Sequence, residues 1–126
     1  MKKVILIDDS SFARMQLQRK LKDLDDVEFV HAADGMQALE KILEARPDCA
    51  VLDLLMPNMN GFELLKELRR RAIDMPVVVL SADKQPLTIQ RCERLGASVI
   101  LHKPTGLVQI RDVVARLLGM DAAQDD

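Results

Sequence analysis

Two cysteines among 126 residues cannot build a disulfide framework. Cys49 opens an apolar run and Cys92 sits in a helical stretch. No CxxC or CxxH spacing offers a metal site, so a reducing compartment is the better fit. Basic excess is also missing. Eighteen Lys and Arg stand against 20 Asp and Glu, a net charge of −2, which removes the electrostatic argument for direct nucleic-acid binding. No apolar run approaches the roughly 18 residues that span a bilayer. The apolar stretch after Met1-Lys2-Lys3 meets Asp8-Asp9 too early to form a signal-peptide core. The chain therefore reads as a soluble, cytoplasmic protein with no membrane partner. Neither GxGxxG nor GxxxxGK[ST] occurs, which excludes the common phosphate-cradling nucleotide motifs. There is no internal repeat, linker or low-complexity segment.

What the chain has is 48% hydrophobic residues, enough for the core of one domain. That domain is expected over residues 1–120, with 121–126 an acidic, frayed tail. Short apolar runs alternate with longer helical periods, the pattern of a parallel sheet covered by helices on both faces. Val4–Ile7, Cys49–Leu52, Val77–Leu80 and Ser98–Lys103 read as strands. Val27–Ala33 is less apolar and fits a sheet edge. Ala13, Leu17, Leu21 and Leu24 form one helical stripe. Asp34 with Gln37, and Asn60 with Glu63, resemble capping boxes. The helix after Asp34 turns Leu39, Ile42 and Leu43 inward and stops before Pro47; the next buries Leu64, Leu68 and Ala72. Pro86 suits a first helical turn and Gly96 a helix end. Ile110, Val113, Val114, Leu117 and Leu118 follow the amphipathic rule up to Gly119. Five strands and five helices in alternation, with right-handed crossovers, predict an α/β flavodoxin-like three-layer sandwich of strand order 2-1-3-4-5.

In such a sheet the strand C-termini share one edge, where ligands bind. Here those ends carry Asp8-Asp9, Asp53, Ser81 and Lys103-Pro104. Three carboxylates crowded together repel, and a hard cation such as Mg²⁺ relieves them. Asp53 is a candidate nucleophile, because a carboxylate can attack phosphorus to form an acyl phosphate. Lys103 could pair with Asp53 at rest and with phosphoryl oxygens afterwards. Ser81 could donate to the same oxygens. Taken one at a time, each has a plainer role: Asp8-Asp9 as a helix cap, Ser81 as a turn residue, Lys103 as a surface lysine.

Together Asp8-Asp9, the segment Asp53-Leu54-Leu55-Met56-Pro57-Asn58-Met59-Asn60-Gly61, Ser81-Ala82 and Lys103-Pro104 resemble a response-regulator receiver domain, the chemotaxis-regulator type of module in two-component signalling. The resemblance spans nearly the whole chain. It implies that Asp53 is the phosphoacceptor, charged by a histidine kinase or phosphotransfer protein. It implies Mg²⁺ on Asp9, Asp53 and the Leu55 backbone carbonyl, with Asp8 acting mainly through water. Ser81 would be the switch hydroxyl and Lys103 the phosphate-binding lysine, often followed in this family by a cis peptide. The face of the fourth helix, fifth strand and fifth helix would report phosphorylation to a downstream protein. The chain would be a monomer, with dimerisation on phosphorylation left open. It would not be an enzyme beyond chemistry on its own Asp53.

Two features depart from that pattern. The chain has no Tyr or Trp, and Ile100 stands where the family usually has an aromatic residue. Leu55 is apolar and Asp83 acidic, both on the expected path of a hydrolytic water. The alternatives are a phosphate-independent interaction module and a small Mg²⁺-dependent aspartyl phosphohydrolase; Leu55 occupies the place of that enzyme's acid/base Asp. Arg69-Arg70-Arg71 reads as a solvated helix face, His31 and His102 as structural, and the seven methionines mostly as core filling. Phe12 either reaches the mouth of the site or packs along its helix.

Overall fold

A computed structural model describes residues 1–56 and 59–120 of the chain. The elements are β1 (Lys2–Ile7), α1 (Ser11–Leu21), β2 (Val27–Ala32), α2 (Gly35–Ala45), β3 (Cys49–Asp53), α3 (Gly61–Arg70), β4 (Val77–Ser81), α4 (Pro86–Arg94), β5 (Val99–His102) and α5 (Leu107–Leu117). The five strands are all parallel in the order β2-β1-β3-β4-β5, the flavodoxin-like arrangement expected from the sequence.

Strand alternation sorts the apolar side chains between two cores. Val4, Leu6, Cys49, Val51, Val78 and Leu80 face α1 and α5, where they meet Leu17, Leu21, Ile110 and Val114. Ile5, Ile7, Ala50, Leu52, Val77 and Val79 face α2, α3 and α4, where they meet Ile42, Leu64, Leu68 and Cys92. Burial on both faces is why these runs are continuously apolar rather than alternating. β2 buries only its last residue, Ala32, as an edge strand should.

Local chemistry bounds α2, α3 and α4. Asn60 and Glu63 form a complete capping box on α3, and Asp34 accepts from the Gln37 N–H at the start of α2. Pro86 opens α4, while Gly96 closes it at φ 97°. α2 stops at Arg46, in the left-handed region, just before Pro47.

Several residues sit differently from the periodic reading. Leu43 is exposed, because α2 buries the Gly35, Ala38 and Ile42 stripe and Leu43 lies one residue beyond it. Ala72 is exposed past the end of α3, at φ 55°, and the half-buried Ile73 packs in its place. Leu24 is buried but follows α1 rather than belonging to it. No methionine is fully buried: Met1, Met15 and Met36 are exposed, while Met56, Met59, Met75 and Met120 lie at the core margins. The expected tail, 121–126, and residues Pro57 and Asn58 lie outside the described residues.

The β3–α3 loop turns back on its own strand. The Gly61 N–H donates to the Leu54 carbonyl at 2.9 Å. A Cβ on Gly61 would stand 2.7 Å from the Leu54 Cα, a backbone atom that cannot rotate away. Gly61→Ala should therefore destabilise the fold by about 1–3 kcal/mol through overpacking, read as a lower urea midpoint. An unchanged midpoint would show that the loop has slack.

Candidate functional site

The strand register builds the site. Ile7 lies level with Leu52, so the next residues, Asp8 and Asp53, stand side by side at the end of the sheet. Asp53 lies level with Leu80, and Ser81 with His102. Ser81 and Lys103 thus follow in steps along the same edge. One carboxylate oxygen from each of Asp8, Asp9 and Asp53 lies within 4.8 Å of the others.

Adjacent strand residues point to opposite faces, so Asp8 and Asp9 can converge only because β1 ends at Ile7. The cap of α1 falls to Ser10, whose side chain accepts from the Ala13 N–H. That leaves Asp9 free of capping. Asp8 instead accepts the Ser10 N–H at 2.9 Å. Asp8 is only 3% exposed. Burial pushes its carboxyl above the usual carboxylate range; the Asp53 and Asp9 charges add to the rise, and the Ser10 N–H and Lys103 oppose it.

Lys103 answers the negative charge. Its Nζ lies 3.3 Å from Asp53 Oδ1, and the Lys103–Pro104 peptide is cis. The Leu55 N–H approaches the same Asp53 oxygen at 3.4 Å, and the Leu55 side chain is 76% exposed. Ser81 is buried, with its hydroxyl committed to its own loop. It donates to the Asp83 carbonyl at 3.1 Å and accepts the Asp83 N–H at 3.0 Å. The Asp83 carboxylate in turn holds the start of α4, accepting the Gln85 N–H at 2.9 Å and the Thr88 hydroxyl at 2.7 Å. The Gln85 and Thr88 bonds hold the Asp83 carboxyl below the usual range.

Beside Asp53 lies a cavity of about 180 Å³ lined by Leu55, Phe62, Ser81, Asp83, Thr88 and Lys103. Phe62 is covered by the Arg91 guanidinium, 3.9 Å from the ring centroid. On the other side, a groove of about 520 Å³ runs from Asp8 and Lys103 past Phe12 to Lys20 and Pro104. Phe12, 70% exposed, therefore stands at the mouth of the site and does not pack inside. The geometry brings together all of Asp8, Asp9, Asp53, Leu55, Ser81 and Lys103. Oxygen donors at this spacing suit a hard cation. Among the described residues, this is the one group of three or more acidic, His or Cys side chains close enough to hold a metal.

The remaining polar features fall elsewhere. His31 bonds to Arg14 and Gln18 on α1. His102 leaves Nδ1 buried without a partner. Arg70 and Arg71 pair with Glu67, whose carboxyl those bonds pull down to about 2. Ile100 is half-buried against the α2–α4 core. Sequence reasoning missed Ser10, Thr88 and Arg14 as parts of the site's frame. Ser10, three residues before Ala13, carried a readable cap signal; Thr88 bonds Asp83 only five residues away at the start of α4, and Arg14 depends on a tertiary contact with no local signature.

Comparison with known proteins agrees with this geometry. The response regulator receiver domain family matches residues 4–115. Protein-glutamate methylesterase/protein-glutamine glutaminase 1 of Methanospirillum hungatei is 36% identical over 119 residues, covering 91% of this chain and 34% of that protein. The chain thus spans about a third of the length of such curated relatives. Among solved structures, the Francisella response regulator 1452 receiver domain superposes with a TM-score of 0.88 at 28% identity, covering 94% of this chain and 98% of that one. Vibrio cholerae chemotaxis protein CheY4 does so with a TM-score of 0.84 at 33% identity, covering 93% and 98%. With the family matched over most of its length and the strand-end carboxylates in place, this chain belongs to the response regulator receiver domain family of two-component signalling.

Proposed function

We propose that this chain is a phosphorylatable switch: Asp53 accepts a phosphoryl group from a histidine kinase or phosphotransfer protein, and the modified domain presents an altered surface to a downstream protein. The observation that carries this reading is the convergence of the Asp8, Asp9 and Asp53 oxygens within 4.8 Å, with Lys103 Nζ 3.3 Å from Asp53. Asp53 Oδ attacks phosphorus, an acyl phosphate P–O bond forms, and the P–N bond to the donor imidazole breaks, leaving that imidazole with the electron pair. Lys103 shifts from the carboxylate toward the phosphoryl oxygens, where its charge is worth most.

The converging Asp8, Asp9 and Asp53 oxygens suit Mg²⁺; Asp9, Asp53 and the Leu55 carbonyl would hold it directly and Asp8 through water, and it would supply positive charge against the carboxylates and the phosphoryl group. Water attack on the acyl phosphate resets the domain. We read the chain's chemistry as confined to its own Asp53. We take residues 1–120 as the receiver unit and the cytoplasm as its proposed location. Among the described residues, no helix is long and apolar enough to cross a membrane.

The switch has its own route here. To donate to a phosphoryl oxygen, the Ser81 hydroxyl must leave the Asp83 carbonyl. Asp83 also grips Gln85 and Thr88, so the pull on Ser81 passes to the first turn of α4. This route needs no polar tip at position 100, where Ile100 has none. The exposed Leu87, Leu107 and Val108 lie on α4 and α5, the face proposed to meet the downstream partner.

Intact mass after incubation with acetyl phosphate and Mg²⁺ tests the reading. One phosphoryl group should appear in the wild type and be absent without Mg²⁺ or in Asp53→Ala. A modified Asp53→Ala chain would overturn the assignment of Asp53. In the same assay Lys103→Met should take up phosphoryl about 100-fold more slowly; an unchanged rate would remove Lys103 from the chemistry.

A further inference from the structure

Arg14 carries no role in the phosphoryl-transfer reading, yet its guanidinium reaches the backbone of the acidic pocket. One of its terminal nitrogens, Nη1, donates to the Asp8 carbonyl. Its Nε donates to His31 Nδ1 at 3.2 Å. An arginine side chain is a donor only and stays charged, so His31 Nδ1 must be the acceptor and the ring proton sits on Nε2. That nitrogen lies 2.6 Å from Gln18 Oε1, a carbonyl that takes the proton's hydrogen bond. Lys41 of α2 donates to the His31 carbonyl. The ring is thus held by Arg14 and Gln18 of α1, while Lys41 of α2 holds the His31 backbone, and the ring in turn holds the guanidinium.

The bond to Asp8 falls at a critical place. β1 ends at Ile7. The Asp8 N–H still donates to the Ala32 carbonyl at 3.1 Å, as a strand residue would. The Asp8 carbonyl instead meets the Arg14 side chain. This carbonyl and the Asp9 N–H share one peptide plane, so fixing the carbonyl fixes the direction in which Asp9 leaves the strand. Asp9 must turn back to join Asp8 and Asp53.

We propose that Arg14, anchored by His31, is a positioning residue for the acidic pocket: it orients the Asp8–Asp9 peptide so that both carboxylates converge on one cation. The proposal rests on the reading of that pocket as a Mg²⁺ site. It carries a sign opposite to simple electrostatics. Deleting a positive charge beside a cation site should, on charge alone, tighten cation binding. Loss of positioning weakens it, as loss of outer-shell support does at metal sites generally.

The test is calorimetric titration of the full chain with MgCl₂, in parallel with urea unfolding. Arg14→Met should bind Mg²⁺ about tenfold more weakly while keeping a near-wild-type urea midpoint. Arg14→Lys keeps the charge but loses the two-handed fork; it should also weaken binding, and it carries the test if Arg14→Met does not fold. His31→Phe keeps the ring and removes the acceptor. It should weaken binding too, and the double variant should be no weaker than Arg14→Met alone, because both act through one bond chain. Binding by Arg14→Met as tight as wild type, or tighter, would overturn the proposal, as would fully additive effects of the two substitutions. A wild type that binds no Mg²⁺ would instead overturn the metal reading itself, and this inference with it.

Discussion

Mutual repulsion among Asp8, Asp9 and Asp53 is the constraint around which this molecule is arranged. One carboxylate oxygen of each lies within 4.8 Å of the others, and Asp8 carries the added penalty of burial, the larger cause of its raised carboxyl. The fold accepts that cost because the parallel sheet delivers its strand ends to one edge. The frame around the cluster then limits the damage. Ser10 takes the helix cap, its N–H steadies Asp8, and Lys103 sits against Asp53. A site where like charges are crowded together is poised to accept positive charge.

The architecture was legible because it rests on short-range patterns. Four apolar runs each ended in a polar residue, and the observed register places those ends side by side. The Asn60–Glu63 box, Pro86 and Gly96 stand where their local chemistry put them. Periodicity failed where the helix surface had to be resolved to a single residue. Leu43 adjoins the buried Ile42 yet faces outward, and Ala72 lies two residues past the end of α3 at Arg70. Four of the seven methionines, Met56, Met59, Met75 and Met120, pack against the core at its margins, where flexible side chains fit well.

The least legible parts join elements distant in sequence. Arg14 meets His31 seventeen residues away, and nothing local to either position announces the pairing. Asp83, expected on the path of a hydrolytic water, has its carboxylate engaged with Gln85 and Thr88. That engagement recasts the departure at Ile100. An aliphatic residue there lacks a polar tip, but the Ser81 hydroxyl is already tied to the start of α4 through Asp83. The proposed switch would then run through a hydrogen-bonded loop rather than through the rotation of an aromatic ring.

The central claim is that clustered carboxylates strain the metal-free fold and that a cation relieves them. Asp8→Asn tests it directly, since the amide oxygen can still accept the Ser10 N–H while one charge is gone. The urea midpoint should be read with and without Mg²⁺. The account predicts that Asp8→Asn is more stable than wild type without metal, and that Mg²⁺ raises the wild-type midpoint far more than that of the variant. A metal-free variant less stable than wild type, or a wild type whose midpoint ignores Mg²⁺, would contradict it.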